Sequence, residues 1–405
     1  MTQSRVPDSA HEQEAKLPRR DWILLPLLSL LTICLIAGST EWIARRMFTE
    51  SKTGAERCLF FSDPSTGVRG IPNCVCWEKK YENQPVEYRF NSSGYRTDLE
   101  FGPKPPRTYR IVMVGSSSAM GAEVRSEDAF ATLLPVELSR LTGRKVELYN
   151  EGIEGWGGTP RNIALRFDKA LAAQPDLVLW ILSPGDIGRV SELLPASDFH
   201  PWKSLSLPAR AWQFTKAAFA TKSPTAAIAE VLSRTRTAVL LRHFLYRSQS
   251  LYVRSSLVGD DRDAGNPEPE SDSVEQRHLQ ELDNYAADIE ARAKAARVPF
   301  AAVFLANGEL ASLISMGEWP AGYNPYKTDE ELRFIIVSHG GIYLDILPDY
   351  RNIPNPERGY FPVDGHPNSD GHATISRLLA KELTSGAVPA LTAVTQTQAA
   401  QEQGR

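Results

Sequence analysis

This 405-residue sequence has no overall excess of positive charge. Lys and Arg number 45 against 49 Asp and Glu, which gives a net charge of −4 and excludes the broad basic surface typical of nucleic-acid-binding proteins. There is no repeat of solenoid or propeller period, no glycine loop that would hold phosphates, and no clustered set of metal ligands. These absences predict a globular protein with no nucleic-acid partner and neither a metal nor an organic cofactor.

Cysteine is scarce too, with 4 residues. Three of them, Cys58, Cys74 and Cys76, fall in one short stretch, whereas Cys34 lies in an apolar run nearer the N-terminus. Three cysteines without a fourth ligand at zinc spacing do not favour a metal site. The expectation is therefore a disulfide from Cys58 to either Cys74 or Cys76, which indicates an oxidising compartment.

Charge is missing altogether from the 19 residues 22–40, which are rich in Leu and Ile. That length matches the hydrocarbon core of a bilayer, and Trp22 and Trp42 lie where interfacial aromatic residues are found. The run predicts a transmembrane anchor over 22–44, and a cleaved signal peptide is the closest alternative. Basic residues flank both ends, so orientation depends on the cysteines. We expect a single-pass protein of the cytoplasmic (inner) membrane whose bulk faces the periplasm or the cell exterior.

Changes in composition divide the rest of the chain. Residues 1–21 are polar and predict a disordered cytoplasmic tail, and residues 386–405, rich in Ala, Thr and Gln, predict a second disordered tail. Residues 47–106 form a turn-rich, cysteine-containing lead-in that ends in a Gly/Pro run. The main domain is expected at 107–385, with a helical insertion at about 190–276.

The insertion is basic in its first part. Between Phe199 and Gly259 it has nine Lys and Arg and a single acidic residue, Glu230, with aromatic residues interleaved. A solvated helical cap is the simpler interpretation. The alternative is a surface that lies on an anionic membrane or guides an acidic polymer to a site.

Short apolar runs of strand type alternate with segments of helical periodicity in the main domain. The predicted strands are 109–114, 145–149, 176–182, 298–305 and 342–347, and the predicted helices are 129–141, 162–173, 279–296, 330–337 and 373–383. Several of the strands are apolar at every position, which is typical of a parallel sheet covered on both faces. The pattern predicts an α/β sandwich around a parallel sheet.

Two polar segments lie at positions of the kind where such sheets bind ligands. Gly115-Ser116-Ser117-Ser118 comes directly after the first strand, at the edge where open α/β sheets hold their sites. A serine in that turn can act as a nucleophile, although Ser/Gly turns after strands are also common without one.

The second segment lies 249 residues after Ser117, just before the last predicted helix. Asp364 and His366 precede an Asn-Ser-Asp run that predicts a helix N-terminus. A carboxylate beside an imidazole can fix the tautomer that a serine needs as its base. The simpler alternative is a surface turn whose histidine only packs or caps, an interpretation that suits His372 better than His366.

Together these segments resemble the SGNH/GDSL hydrolase family, and in particular its single-pass membrane-anchored bacterial members. The resemblance covers about residues 87–384. By similarity Ser117 is the nucleophile, and Asp364 and His366 complete a Ser-His-Asp triad. The backbone amides of Ser117 and Gly155, the latter in a Gly-Trp-Gly stretch that resembles the second family block, are implied as the oxyanion hole. The implied fold is a flavodoxin-like, three-layer α/β/α sandwich with a short parallel sheet.

The sequence departs from the family pattern at three points. Ser116 replaces the usual acidic residue or glycine before the nucleophile. Gly185 stands where the third block has an asparagine that would be the third oxyanion donor, and loss of one such donor typically costs about 10²–10³ in rate. Asp364 and His366 are two residues apart rather than the more usual three.

The resemblance implies a serine esterase that acts on an acylated substrate. Deacylation of an O-acylated cell-envelope or exported polysaccharide is the expectation. One alternative is an O-acetyltransferase that passes the acyl group to a glycan with the same triad. Another is a non-catalytic, glycan-binding envelope protein, which the missing asparagine motivates. The sequence assigns neither the natural substrate nor the oligomeric state.

Overall fold

A computed structural model defines the structure of most of the chain. The residues that it describes are 20–49, 58, 61–63, 67–80, 82–187, 190, 235–251, 253, 269–319 and 323–393. Most of the predicted N-terminal tail, the greater part of the predicted insertion and the last residues of the predicted C-terminal tail lie outside them.

A five-stranded parallel sheet forms the centre of the main domain. Its strands are β5 (Thr108–Gly115), β6 (Lys145–Asn150), β7 (Leu177–Leu182), β8 (Phe300–Phe304) and β9 (Ile342–Leu344), and their spatial order is β6-β5-β7-β8-β9. All residues of β5, β7 and β8 are buried. Because both faces of these strands are covered, their apolar residues run without the alternation of a one-sided sheet.

Helices cover the two faces of the sheet and form separate cores. One face packs against α4 (Pro160–Ala172), α7 (Pro269–Ala295), α8 (Gly308–Met316) and α9 (Lys327–Ser338). The other packs against α3 (Phe130–Thr142) and α10 (Ser369–Glu382). Alternate residues of β5 divide between them, with Val112 and Val114 in the first core and Ile111 and Met113 in the second. The predicted three-layer α/β/α sandwich with a short parallel sheet is thus confirmed.

Two pairs of antiparallel strands lie in the described part of the lead-in. They are β1 (Phe61–Asp63) with β2 (Gly67–Arg69), and β3 (Val75–Glu78) with β4 (Val86–Arg89). Cys58 and Cys74 form a disulfide, with Cα atoms 5.6 Å apart, while the buried Cys76 is outside this disulfide. Of the two pairings expected from the sequence, the structure has the first.

The apolar run near the N-terminus forms helix α1 (Asp21–Met47), whose apolar side chains are exposed. It is long and apolar enough to cross a membrane, and a signal sequence has the same properties. Its C-terminal part meets α6 (Arg236–Leu245) of the predicted insertion. Glu41 Oε2 accepts hydrogen bonds from the backbone amide of Thr237 at 2.9 Å and from its hydroxyl at 3.0 Å, so a carboxylate of α1 caps the N-terminus of α6.

Three details of the fold differ from the sequence-based expectation. Two one-turn helices, α2 (Ser117–Met120) and α5 (Pro184–Ile187), and the longer α8 were not predicted. The last strand ends at Leu344 and not at 347, because a 3-10 helix begins at Leu347 and Pro348 has no amide hydrogen for a sheet. The folded chain also continues past the predicted domain end at 385, since Val388 and Leu391 are buried in the core beside α3 and α10.

Candidate active site

The turn after β5 places Ser117 at the first position of α2. Gly115 is required before it, because a Cβ there would lie 2.8 Å from both the carbonyl oxygen of Ile181 and the Cβ of Ala119. The first amides of a helix have no acceptor inside the helix. Ser117 therefore combines an outward hydroxyl with a backbone N–H that can meet a negatively charged oxygen.

The loop before α10 brings His366 to this hydroxyl. His366 Nε2 lies 2.7 Å from Ser117 Oγ, and His366 Nδ1 is hydrogen-bonded to Asp364 Oδ1. Gly365, between the two, has φ of 87°, a left-handed conformation that glycine adopts readily. This reversal turns the Asp364 and His366 side chains toward each other, so a spacing of two residues is sufficient.

Hydroxyl, imidazole and carboxylate thus lie in the order in which a proton moves from a serine to a histidine base. Burial opposes the charged imidazolium, but the hydrogen bond and charge of Asp364, together with Glu123, raise the pKa of His366 above its ordinary value. Burial likewise favours the neutral form of Asp364, yet His366 and Lys80 hold the pKa of Asp364 well below its usual range. The imidazole is therefore more basic than an ordinary histidine, while its partner stays ionised.

Ser116, the residue directly before Ser117, is tied to the loop after β7. Its Oγ donates a hydrogen bond of 3.1 Å to Asp186 Oδ2, which also accepts bonds from the amide and the hydroxyl of Ser183 at 2.8 and 2.7 Å. Asp186 is buried. The carboxylate therefore joins the ends of β5 and β7 next to Ser117.

The turn that contains Gly155 runs beside the same strand end. Gly155 opens the 3-10 helix Gly155–Gly158 with φ of 62°, and the amide of Ile153 donates to the carbonyl of Gly115 at 3.1 Å. A Cβ at Gly158 would lie 2.5 Å from the Cβ of Ser116. Gly185, at the third-donor position, is exposed, and a Cβ there would meet nothing within 4 Å. A Cβ can therefore be added at position 185 without a clash.

Two residues that the sequence motifs did not indicate also reach this site. The Glu123 side chain is completely buried, and its Oε1 lies 3.8 Å from His366 Nδ1 and 2.5 Å from Lys80 Nζ. Burial and the charge of Asp364 raise the pKa of Glu123 above its ordinary value, and the ammonium of Lys80 opposes this effect. Glu123 and Lys80 come from loops with no family signature, so only the folded chain reveals them.

Glu123, Asp364 and His366 also offer one potential metal-ligand atom each within 4.8 Å of one another. The cation among these carboxylates is the ammonium of Lys80, 2.5 Å from Glu123 Oε1 and 3.8 Å from Asp364 Oδ2. The Nδ1 of His366, the atom in this group, is engaged with Asp364. Charge balance here is thus provided by a side chain.

His372 has a structural environment, as its position inside the last helix predicts. It is buried, its Nδ1 accepts a hydrogen bond of 3.2 Å from the amide of Phe130, and its ring stacks on the Phe130 ring. Burial lowers the pKa of His372 to about 3. It therefore remains neutral and joins α10 to α3.

No family model and no curated protein sequence matches this chain. Its fold is similar to solved structures of very different sequence. An α/β-hydrolase enzyme from the metagenome of Lake Arreo, Spain, is 15% identical over 70% of this chain and 97% of its own, with a TM-score of 0.37. An acetyl-xylooligosaccharide esterase from Geobacillus stearothermophilus is 12% identical over 70% and 96%, with a TM-score of 0.37.

A third similar structure is the esterase EstA from Pseudoalteromonas sp., 12% identical over 68% of this chain and 97% of its own, with a TM-score of 0.33. These neighbours are esterases or α/β hydrolases by description. At such low sequence identity and TM-scores, the similarity concerns the fold and does not assign an activity to this chain.

Proposed function

We propose that this protein is a serine esterase with Ser117 as nucleophile, His366 as general base and Asp364 as the triad acid. The observation that supports it most directly is the contact of 2.7 Å between His366 Nε2 and Ser117 Oγ, with Asp364 on the other ring nitrogen. The non-catalytic alternative would leave the serine beyond the reach of the histidine.

The proposed reaction is acyl transfer to water in two steps. His366 takes the proton of Ser117 as Oγ attacks the ester carbonyl, and the imidazolium then gives that proton to the leaving alcohol. Water, deprotonated by the same histidine, then attacks the acyl carbon. The bond from that carbon to Ser117 Oγ breaks, His366 returns the proton to Oγ, and the acid leaves. Asp364 holds the ring in the required tautomer and stabilises the imidazolium.

The negative charge of the tetrahedral intermediate requires hydrogen-bond donors. The amide of Ser117 at the start of α2 and the amide of Gly155 at the start of its 3-10 turn are the proposed pair. With Gly185 in the third block, the site works with one donor fewer than the family pattern. The proposed enzyme is accordingly slower than a three-donor esterase would be.

A glycan O-acyl ester at the cell envelope is the proposed substrate class. The support is the resemblance to membrane-anchored bacterial SGNH proteins and the exposed apolar helix α1 at the N-terminus. In this proposal α1 anchors the protein in the cytoplasmic membrane, with the main domain in the periplasm or outside the cell. The disulfide Cys58–Cys74 is in keeping with an oxidising compartment.

Hydrolysis of p-nitrophenyl acetate by the full-length chain in detergent tests the proposal. We expect turnover by the parent, with Ser117→Ala and His366→Ala reduced to background. The matched control is Ser118→Ala, which removes the same hydroxyl one residue away and should retain activity. A folded parent no faster than Ser117→Ala contradicts the esterase function. Faster acyl release on addition of a glycan acceptor, with an acylated glycan as product, would indicate the transferase instead.

A further inference from the structure

The loop after β3 carries the lead-in into the proposed active site. Lys80 Nζ lies 2.5 Å from Glu123 Oε1 and 3.8 Å from Asp364 Oδ2. The other oxygen of Asp364, Oδ1, is the one bonded to His366. Behind the Asp364–His366 pair there is therefore a cation that faces the oxygen that the imidazole does not use, and a second acid that contacts this cation.

Glu123 has an unfavourable backbone conformation, which contacts with the lead-in hold in place. Its φ is 66°, in the left-handed region that residues other than glycine seldom occupy. Two lead-in side chains secure it: Tyr88 Oη accepts from the Glu123 amide at 2.9 Å, and Asn83 Nδ2 donates to the Glu123 carbonyl at 3.3 Å. Arg96 donates to the next carbonyl, that of Val124, at 2.6 Å. Strain maintained by surrounding contacts in this way is typical of functional sites.

The same loop also fixes the backbone that carries Asp364. Glu82 Oε2 accepts hydrogen bonds from the amides of Val363 and Asp364 at 2.9 and 3.0 Å. The Glu82 side chain is buried, and its Oε1 lies 2.6 Å from Nδ1 of His243 on α6. One lead-in loop thus supplies contacts to three parts of the site: the Asp364 backbone, the Asp364 carboxylate and Glu123.

The ammonium of Lys80 lies among several carboxyl groups. Three carboxyl groups lie within 3.8 Å of its ammonium: those of Glu123, Glu154 and Asp364. Burial works against the charge, but Glu154, Glu123 and Asp364 raise the pKa of Lys80, so the ammonium persists. Burial and the charge of Asp364 raise the pKa of Glu123, while the ammonium of Lys80, 2.5 Å from Glu123 Oε1, favours its ionised form.

We propose that Lys80 and Glu123 are positioning residues of this active site: Lys80 holds the outer oxygen of Asp364 and Glu123 holds Lys80, so that the inner oxygen of Asp364 stays on His366. The inference rests on the proposed esterase function and extends it to the lead-in, which becomes a structural part of the site. Lys80 and Glu123 act on His366 through Asp364 and through their own charges, and those charges have opposite signs.

The opposite signs give a test that loss of structure alone would not imitate. The charge of Lys80 lowers the pKa of His366, whereas that of Glu123 raises it. We expect Lys80→Met to move the acid limb of the kcat/KM profile to higher pH and Glu123→Gln to move it to lower pH. Each shift should be roughly one pH unit, the order expected for a charge about 4–6 Å away. His372, with its pKa near 3, is neutral in this range and does not interfere.

Lys79→Met is the matched control, since it removes the same charge one residue away. Lys79 Nζ donates to the carbonyl of Thr49 at 2.9 Å, away from the carboxyl cluster, and the control should leave the profile unchanged. Lys80→Arg keeps the cation and should keep the acid limb at its original pH. The double variant Lys80→Met/Glu123→Gln should lie between the two single variants.

A second readout does not require catalysis. In full-length Ser117→Ala protein in detergent, the ¹³C chemical shift of the His366 ring, assigned by its loss in His366→Gln, reports the imidazole pKa directly. The expected result is a rise with Lys80→Met and a fall with Glu123→Gln. Equal imidazole pKa values in Lys80→Met, Glu123→Gln and Lys79→Met would overturn the positioning role. If the parent shows no Ser117-dependent hydrolysis but the pKa values still shift, the esterase function fails and the positioning role stands.

Discussion

Ser116 Oγ donates a hydrogen bond to Asp186 Oδ2, so the residue before the proposed nucleophile is attached to the loop at the end of the neighbouring strand. An acidic residue or glycine at position 116 could not make this bond as a donor. The serine found here thus has a definite structural partner, and the loops after β5 and β7 are joined directly.

Replacing that carboxylate should affect both stability and rate. In Asp186→Ala the hydroxyls of Ser116 and Ser183 and the Ser183 amide lose an acceptor, which should lower the free energy of unfolding by about 1–3 kcal/mol. A slight displacement of Ser117 should reduce kcat by roughly 10- to 100-fold. Urea denaturation and p-nitrophenyl acetate kinetics measure the two effects. Ser116→Ala breaks one bond only, and a larger loss in that variant would refute the explanation.

Restoring the missing oxyanion donor should accelerate the reaction. A Cβ at Gly185 meets no heavy atom within 4 Å, so Gly185→Asn can be accommodated. If the amide reaches the oxyanion, kcat should rise by about 10-fold or more, within the 10²–10³ associated with one such donor. Gly185→Ala is the control without a donor. Identical kcat values in the two variants would show that position 185 does not serve the oxyanion hole.

Close packing beside the nucleophile should make Gly158 intolerant of a side chain. In Gly158→Ala the new Cβ would lie 2.5 Å from the Cβ of Ser116 and 2.7 Å from the carbonyl oxygen of Ile153. The turn that carries Gly155 must then move away from Ser117, and kcat should fall with little change in overall fold, as measured by circular dichroism. Gly102→Ala, where a Cβ meets nothing within 4 Å, should be neutral. Equal activity in both would contradict this packing argument.

The pH dependence of kcat/KM should show a raised histidine pKa. Only the neutral imidazole can accept the serine proton, and Asp364 and Glu123 raise the pKa of His366 above its ordinary 6.5 against the effect of burial. Activity should therefore be lost as the pH falls through a midpoint above 6.5. In Asp364→Asn the midpoint should move down and kcat should drop by about 10⁴-fold. A parent midpoint below 6.5 would be inconsistent with the Asp364–His366 contact.

Removing the disulfide should destabilise the lead-in. Cys58 and Cys74 are 16 residues apart, and closing a loop of that length stabilises a fold by about 3 kcal/mol in the chain-entropy description. Cys58→Ser/Cys74→Ser should lower the unfolding midpoint in urea, and kcat should fall with it, because Lys80 follows Cys74 in the same hairpin. Cys34→Ser, on exposed α1, is the control. A midpoint equal to that of this control would deny the bond a stabilising role.

Much of the fold could be predicted from sequence because its strands have no alternation and its helices have strong periodicity. The three residues of the candidate triad could also be selected, since Ser117 follows a buried strand and His366 precedes a capped helix. What the sequence did not predict depends on backbone geometry. Gly365 in a left-handed conformation makes the two-residue spacing work, and that conformation depends on the loop around it.

Lys80 and Glu123 illustrate a second limit. They lie 43 positions apart, in loops without a motif, and a charged residue in a loop is normally solvated. Only the packing of the β3–β4 hairpin against the segment after α2 buries Glu123 and places the ammonium beside it. Interactions of this kind follow from tertiary structure and have no local signature.

The capping of α6 by Glu41 has a consequence for how the protein meets its substrate. The ring of Phe48, just past α1, packs against His243 of α6 with centroids 5.4 Å apart, and His243 contacts Glu82, which holds the Asp364 loop. With α1 in a bilayer, these contacts would keep the proposed active site at a fixed height above the lipid. The proposed enzyme would then meet its substrate by lateral diffusion in the plane of the membrane. Its turnover would depend on the number of acyl esters per unit area of membrane.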